Sequence, residues 1–214
     1  MKHESTIPWN GPAGRAWVAT QGLLDRVFQP FEDRLVEAVA ARRPRNVLDV
    51  GCGAGATTLA VARALGPGGH ATGIDISEPM IAAAQARAGN HVSFVRADAQ
   101  THTFAHPQRI DQILRESGWA HIDIQPLDVY CTFPEPDLVT YFTRLGPVGL
   151  ALGEVDDLTR QKVIETLRAA FSPYLDGNQV HFLAACWMVS ARRLTDSACL
   201  FFLSFFLAAI YRAG

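Results

Sequence analysis

The chain has 214 residues, of which 49% are apolar, so it can bury one sizeable core and does not require two full domains. Its formal net charge is -2, and its 19 Lys and Arg residues are spread along the chain rather than gathered into one stripe. Because this distribution offers no concentrated basic surface to a phosphate backbone, we expect no nucleic-acid partner.

The cysteines and histidines give no sign of a metal site. The seven histidines form no H-E-x-x-H motif, and the four cysteines have no paired metal-ligand spacing. The N-terminus lacks a basic segment followed by an apolar one. We therefore expect a reduced, cytoplasmic protein without a metal; the cysteines in question are Cys52, Cys131, Cys186 and Cys199.

The first half of the chain alternates between helical periodicity and short apolar runs that end in glycine. Such runs are typical of buried parallel strands, and Pro30 is expected to separate two N-terminal helices. The predicted elements are helices at about 12–28 and 31–42, a strand at 47–50, a helix at 56–65, a strand at 71–75, a helix at 80–88 capped by Ser77, and a strand at 92–95. Strands alternating with helices predict a parallel sheet with helices on its faces.

After residue 98 the pattern changes. We predict a helix at 107–116, a strand at 119–125 with 127–133 as its candidate continuation, helices at 136–145 and 155–174, and a long strand at 180–190. The expected organisation is an N-terminal helical cap at 1–42, a shortened Rossmann-like domain at 43–193 and an apolar C-terminal tail at 194–214. The fold class is therefore α/β, doubly wound, with a mostly parallel sheet.

A glycine-rich turn follows the first strand in the segment Val-Leu-Asp-Val-Gly-Cys-Gly-Ala-Gly. Glycines there allow a ligand to lie against the main chain. Gly51, Gly53 and Ala56 also satisfy the degenerate glycine pattern of NAD-binding domains. Asp49 argues against a pyrophosphate, because its negative charge would repel one, and favours a ligand that carries an ammonium and a sulfonium.

Two more acids follow the next strands. Asp75 ends the second strand, where it can accept hydrogen bonds from ribose hydroxyls. Asp98 follows the third strand and can accept from an exocyclic amine, while Ala99 offers a backbone N–H to an adenine ring nitrogen. All three acids fall at the carboxyl ends of parallel strands, where open sheets bind ligands.

These motifs, with Gly-Ile-Asp-Ile-Ser and Arg-Ala-Asp-Ala, resemble motifs I, II and III of class I S-adenosylmethionine-dependent methyltransferases of the ubiquinone-biosynthesis-like group. The resemblance implies S-adenosyl-L-methionine as cofactor, with Asp75 on the ribose, Ile76 and Met80 flanking the adenine, and Asp98 and Ala99 at the adenine edge. Cys52 is expected to be a small turn residue and not a nucleophile. The residues implied at the methionine end are Asp49, Gly51, Cys52, Gly53, Ala54 and Gly55.

The resemblance extends to both flanks: the segment from Trp9 to Ala40 is similar to the family's helical cap, and 107–193 is similar to its C-terminal end with an antiparallel strand pair. The family's fourth and fifth strands are not found between Asp98 and Pro107, so we infer an internal deletion.

The shortened sheet should leave the first strand with an open edge that must be covered. We favour the strand at 180–190, pairing antiparallel with the first; the tail and a second molecule are the alternatives. The apolar run 198–210 is shorter than the ~20 residues of a membrane span, so we expect a buried or partner-covered segment.

The leading hypothesis is a methyltransferase that acts on a small-molecule acceptor by in-line displacement, for which no catalytic base can be named. One alternative is a non-catalytic S-adenosylmethionine-binding or assembly protein, suggested by the deletion. A second is an NAD-dependent oxidoreductase, supported by the degenerate glycine pattern alone. A homodimer through the sheet edge or the tail is left open.

Overall fold

The structure, a computed structural model, describes residues 9–98, 106–193 and 198–205. Helices pack on a seven-stranded sheet, which confirms the predicted α/β class. In chain order the elements are α1 (Pro12–Ala19), α2 (Gln21–Arg42), β1 (Asn46–Val50), α3 (Ala56–Leu65), β2 (His70–Asp75), α4 (Glu78–Arg87), β3 (Val92–Arg96), α5 (Pro107–Glu116), β4 (Trp119–Pro134), α6 (Leu138–Arg144), α7 (Gly146–Ala151), α8 (Asp157–Phe171), β5 (Leu175–Asp176), β6 (Gln179–Arg193) and β7 (Ala198–Phe205).

The sheet has the strand order β3-β2-β1-β7-β6-β4, and the two-residue strand β5 pairs with β6. Strands β3, β2, β1 and β7 run parallel to one another, whereas β6 is antiparallel to both β7 and β4. The prediction of a mostly parallel sheet with an antiparallel C-terminal strand pair is therefore confirmed. Crossovers through α3 and α4 connect the first three strands, as in βαβ units.

The strand that covers β1 is not the one that we favoured from the sequence. The long strand β6 does not pair with β1; instead β7, from the apolar tail, lies between them. Leu48 of β1 stands opposite Leu200, and Arg192 of β6 stands opposite Cys199. The tail thus belongs to the sheet rather than lying outside it. Being apolar, it can be buried on both faces, and it pairs the backbone groups of two strands at once.

Pro30 does not separate two helices, as the sequence suggested, because α2 runs through it from Gln21 to Arg42. The break between α1 and α2 falls at Thr20, whose hydroxyl donates to the carbonyl oxygen of Ala16 at 2.7 Å. A proline costs a helix one hydrogen bond, but the buried stripe of α2 continues on both sides of it. That stripe comprises Leu23, Leu24, Val27, Phe31, Leu35 and Val39.

The largest core cluster lies between α2, the β4–β6 strand pair and α6. Val27 and Phe31 of α2 are fully buried against Phe133 and Val180. A second cluster on the other side of the sheet packs Ile110 of α5 against β1 and β6. In the described part of the chain, no helix is both long and apolar enough to cross a membrane.

Candidate functional site

The loops that follow β1 and β2 lie side by side at one edge of the sheet. The two strands are in parallel register, with Val50 opposite Ile74, so the glycine turn after β1 adjoins Asp75 at the end of β2. Two hydrogen bonds join the loops to each other, from the backbone N–H groups of Gly51 and Cys52 to the carbonyl oxygen of Ile74, at 2.8 and 3.1 Å. The sequence prediction that these motifs meet at one edge agrees with this arrangement.

The glycine turn uses left-handed backbone conformations at three positions, with φ of 77° at Gly51, 54° at Gly53 and 87° at Gly55. L side chains rarely adopt such angles. A Cβ atom on Gly55 would lie 2.7 Å from the ring of Phe94, whereas one on Gly53 would meet only the Met80 sulfur, at 3.6 Å. Gly55 is therefore required by packing, and the space beside Gly53 is open to a ligand.

Asp49 is buried at the carboxyl end of β1, beneath the turn. It accepts hydrogen bonds from the hydroxyls of Thr57 and Thr58, at 3.1 and 2.6 Å, in the first turns of α3. Burial raises the pKa of Asp49 from 3.8 to about 6; the two threonine hydroxyls act against this shift, and the charge of Asp75 adds to it. A cation bound at the turn would relieve this cost by stabilising the ionised carboxylate.

Asp75 organises the two loops as well as facing the site. One of its carboxylate oxygens accepts from the backbone N–H of Gly53 at 3.0 Å, and the other accepts from that of Ser77 at 2.8 Å. Burial raises the pKa of Asp75, while these backbone donors act to lower it. Because each carboxylate oxygen has further acceptor capacity, the predicted bonds to ribose hydroxyls remain available.

Cys52 is buried inside the turn, where it packs against β2 and α3. A Cβ atom on Gly73 would lie 2.8 Å from both the Cys52 sulfur and the Thr58 hydroxyl, so Gly73 makes room for both. Burial, followed by the charge of Asp49, raises the pKa of the Cys52 thiol far above its ordinary value. A thiol held neutral in this way is inert, in keeping with its interpretation as a small turn residue.

The segment before α1 is attached to the loop that follows Asp75. The Ser77 hydroxyl donates to the carbonyl oxygen of Trp9 at 2.6 Å. The Asn10 side chain bonds both sides of Ser77, donating to the carbonyl oxygen of Ile76 at 3.2 Å and accepting from the N–H of Glu78 at 2.8 Å. The predicted cap therefore contacts the cofactor-binding half directly.

The remaining predicted site residues lie around the same edge. Met80 is buried in the first turn of α4, with its sulfur near Gly53, and Ile76 is half-buried beside Asp75. Asp98 is exposed just after β3, at the end of the described range 9–98. Ala99 lies outside the described residues. Contact of these four residues with an adenine stays a prediction.

The residues at this edge fit S-adenosylmethionine. The turn leaves space beside Gly53, and the two carboxylates below and beside it, Asp49 and Asp75, attract a cationic ligand and repel a phosphate. A pyrophosphate at the turn would face the charge of Asp49, which argues against NAD, whereas an acid at the position of Asp75 is compatible with the ribose of either cofactor. Within the residues that the structure describes, no cluster of three or more His, Cys, Asp or Glu side chains could hold a metal ion.

Comparison with known proteins agrees with this geometry. Residues 47–131 match the family model described as methyltransferase domain. This segment of the chain is part of a methyltransferase domain. The match begins at β1 and therefore includes the glycine turn, Asp75 and Asp98. The segment that carries the glycine turn, Asp75 and Asp98 thus matches the kind of domain that the motifs predicted.

Curated relatives match over shorter stretches. Nocamycin O-methyltransferase of Saccharothrix syringae is 48% identical over 61 residues, which is 28% of this chain and 22% of that protein. Demethylmenaquinone methyltransferase of Staphylococcus aureus is 36% identical over 71 residues, 32% of this chain and 30% of that protein. The matches thus span less than a third of either relative.

Among solved structures, magnesium protoporphyrin IX methyltransferase of Synechocystis PCC 6803 with bound SAH matches with 20% identity and a TM-score of 0.43, covering 78% of this chain and 86% of that one. The plantazolicin methyltransferase structure in complex with SAH has 15% identity and a TM-score of 0.41, covering 86% of this chain and 93% of that one.

Several residues of the site were not identified from the sequence. Thr57 and Thr58 hold the Asp49 carboxylate, and Gly73 makes room for one of them; Arg87 donates from the end of α4 to the turn at Ala54. Two hydroxyls at the start of the helix after an Asp-containing strand were a usable signal. Nothing in the spacing of Arg87 indicated its contact, because it depends on how α4 packs beside the turn.

Proposed function

We propose that this chain transfers a methyl group from S-adenosylmethionine to a small-molecule acceptor. The observation that carries the proposal is the placement of two carboxylates, Asp49 and Asp75, around a glycine turn with open space beside Gly53. This arrangement favours a ligand with an ammonium and a sulfonium. The names of both curated relatives give small molecules, nocamycin and demethylmenaquinone, which supports this class of acceptor.

When bound, the cofactor supplies an activated methyl group on its sulfonium, and the chain contributes binding and orientation. Asp75 would hold the ribose while it keeps the Gly53 N–H in place. Asp49, ionised, would balance the positive charge of the ligand from beneath the turn. Methyl transfer depends mainly on holding the acceptor in line with the methyl group. The acceptor oxygen would bond to the methyl carbon as the C–S bond of the sulfonium breaks, S-adenosylhomocysteine would leave, and the proton of the acceptor would pass to solvent.

Strand β7, which the C-terminal tail supplies, pairs with β1 on the side away from β2, with Leu200 opposite Leu48. We expect the acceptor to be held on this side of the glycine turn. A cytoplasmic location, the absence of a nucleic-acid partner and a homodimer stay predictions.

Calorimetric titration and a methyl-release assay test this function. We expect the full chain to bind S-adenosylmethionine and S-adenosylhomocysteine but not NAD, and to release labelled methyl to a member of a panel of phenols, quinols and carboxylic acids. Gly53→Val, which forces a branched residue to a φ of 54°, should lose both activities. Binding without transfer to any acceptor would favour the non-catalytic alternative, and binding of NAD alone would overturn the proposal.

A further inference from the structure

The glycine turn is fastened to the N-terminal cap by one arginine at the end of α4. Arg87 donates through Nη1 to the carbonyl oxygen of Ala54 at 3.0 Å and through Nη2 to the Asp25 carboxylate at 2.9 Å. Asp25 lies on α2, in the cap. Gln21 lies one helical turn before Asp25 on α2. With its side-chain amide oxygen turned toward the guanidinium, it accepts from Arg87 Nε at 3.2 Å. The guanidinium thus joins three parts of the molecule: α4, the turn and the cap.

The peptide unit that Arg87 holds is followed by a glycine, which restricts rotation of the unit less than another residue would. The Ala54 carbonyl and the Gly55 N–H belong to the same peptide plane, and Gly55 has a φ of 87°. On one side of this plane the Gly55 N–H donates to the Cys52 carbonyl at 2.9 Å, and on the other side Arg87 holds the Ala54 oxygen. Loss of either bond would make a peptide flip easier.

The orientation of this plane affects the ligand site because the same turn carries the Gly53 N–H, which donates to Asp75. A rotated Ala54–Gly55 peptide would change the backbone on which the methionine end of the cofactor is expected to lie. The side chains of Arg87 and Asp25 are only 30% and 31% exposed, so their ion pair is partly shielded from water and can fix the guanidinium in direction.

We propose that Arg87 is a positioning residue for cofactor binding, which sets the glycine turn through the Ala54 carbonyl and is itself oriented by Asp25 of the cap. The docking of the cap on Arg87 then determines how well the turn receives the cofactor. This inference rests on the proposed function for the identity of the ligand, but its structural core concerns the ligand-free turn.

The test compares variants of the full chain by titration with S-adenosylhomocysteine, by thermal unfolding and by amide hydrogen exchange at Gly55 without ligand. Arg87→Met removes the donors and keeps most of the apolar stem; we expect at least a tenfold loss of affinity and faster exchange at Gly55. Asp25→Asn should give a smaller loss in the same direction, and Arg87→Lys should restore part of the affinity.

The matched control is Arg26→Met, next to Asp25 on α2. Arg26 forms an ion pair with Asp137, just before α6, at 3.0 Å. It should leave both the affinity and the exchange at Gly55 unchanged. The double variant with Asp25→Asn and Arg87→Met should bind no more weakly than Arg87→Met alone, because Asp25 acts through Arg87.

The outcomes separate this inference from the proposed function. Wild-type protein that binds no S-adenosylhomocysteine would contradict the function, while the exchange at Gly55 would still test the role of Arg87 in holding the turn. Wild-type binding with unchanged affinity in Arg87→Met, whatever its melting temperature, would overturn the inference alone. If Arg87→Met does not fold, Asp25→Asn and Arg87→Lys decide between the same results.

Discussion

The hydroxyl of Ser77 donates a hydrogen bond of 2.6 Å to the carbonyl oxygen of Trp9, from which it is separated by 68 residues of chain. Ser77 is fully buried and also caps α4, accepting from the Met80 N–H at 3.4 Å. The same hydroxyl therefore links the beginning of the described cap to the loop that carries Asp75. Changes in the cap should therefore alter the position of the loop that carries Asp75.

Gly14 in α1 is where this link can be broken by the smallest change. A Cβ atom there would lie 2.0 Å from the Trp9 carbonyl oxygen and 2.8 Å from the Ser77 hydroxyl. Gly14→Ala should therefore displace the Trp9–Ser77 contact and destabilise the protein by about 1 to 3 kcal/mol, as overpacking does. Thermal or urea unfolding measures this effect.

Gly22→Ala is the matched control, because Gly22 lies in α2 and a Cβ atom there has no neighbour within 4 Å. Alanine should stabilise the helix by about 0.5 to 1 kcal/mol, since it is the better helix former. Equal effects of the two substitutions on unfolding would contradict the role assigned to the Gly14 contact.

Asp75→Ala should weaken binding of S-adenosylmethionine by about 1.5 to 3 kcal/mol, the range for hydrogen bonds to a charged group. It should also lower the stability of the ligand-free protein, because it leaves the N–H groups of Gly53 and Ser77 without their carboxylate. Titration and unfolding of the same variant separate the two effects, and unchanged affinity would remove Asp75 from the site.

The buried Asp49 should make cofactor binding depend on pH. Its pKa is raised to about 6 in the ligand-free fold, and a bound cation would lower it, so binding releases a proton and affinity falls as pH decreases through about 6. We expect about a fourfold loss of affinity for S-adenosylmethionine between pH 7.5 and pH 5.5. Asp49→Asn should remove this part of the pH dependence. A pH profile of affinity identical to that of the wild type would show that ionisation of Asp49 is not coupled to ligand binding.

Ending the chain at Arg193 should prevent stable folding, because it removes β7 from between β1 and β6 and leaves the facing edges of these two strands unpaired. We expect aggregation or loss of cooperative unfolding, measured by size-exclusion chromatography and circular dichroism. A chain that ends at Phe205 keeps all of β7 and serves as the control. A monomeric, cooperatively folded protein ending at Arg193 would contradict the place of β7 in the sheet.

The elements around the motifs followed from local sequence. Alternating apolar runs and helical stripes located β1, α3, β2, α4 and β3 to within a few residues, and glycines with Ser77 marked their ends. Three acids after successive strands sufficed to predict one ligand edge, since parallel strands bring their carboxyl ends together. The family match over residues 47–131 covers this same region.

The long-range pairing of the strands could not be predicted from local sequence. Both β6 and β7 are apolar and long enough to cover β1, so hydrophobic pattern alone could not choose between them, and the choice of β6 was wrong. In the same way, Pro30 was expected to end a helix that tertiary packing of Val27 and Phe31 carries through it. Composition and periodicity report which residues are buried, but not which surface buries them.

The sequence by itself determined the residue types at this edge: a glycine turn, an acid two residues before its first glycine and a second acid at the end of the next strand, because these depend on residue type and on short spacing along the chain. Only the tertiary structure decided what holds that edge in place. The contacts of Ser77 with Trp9 and of Arg87 with Ala54 join residues far apart in sequence, and β7 reaches β1 from the other end of the chain. Such contacts form where packing of the whole sheet brings hydrogen-bonding groups within about 3 Å of each other, a distance that no local pattern encodes.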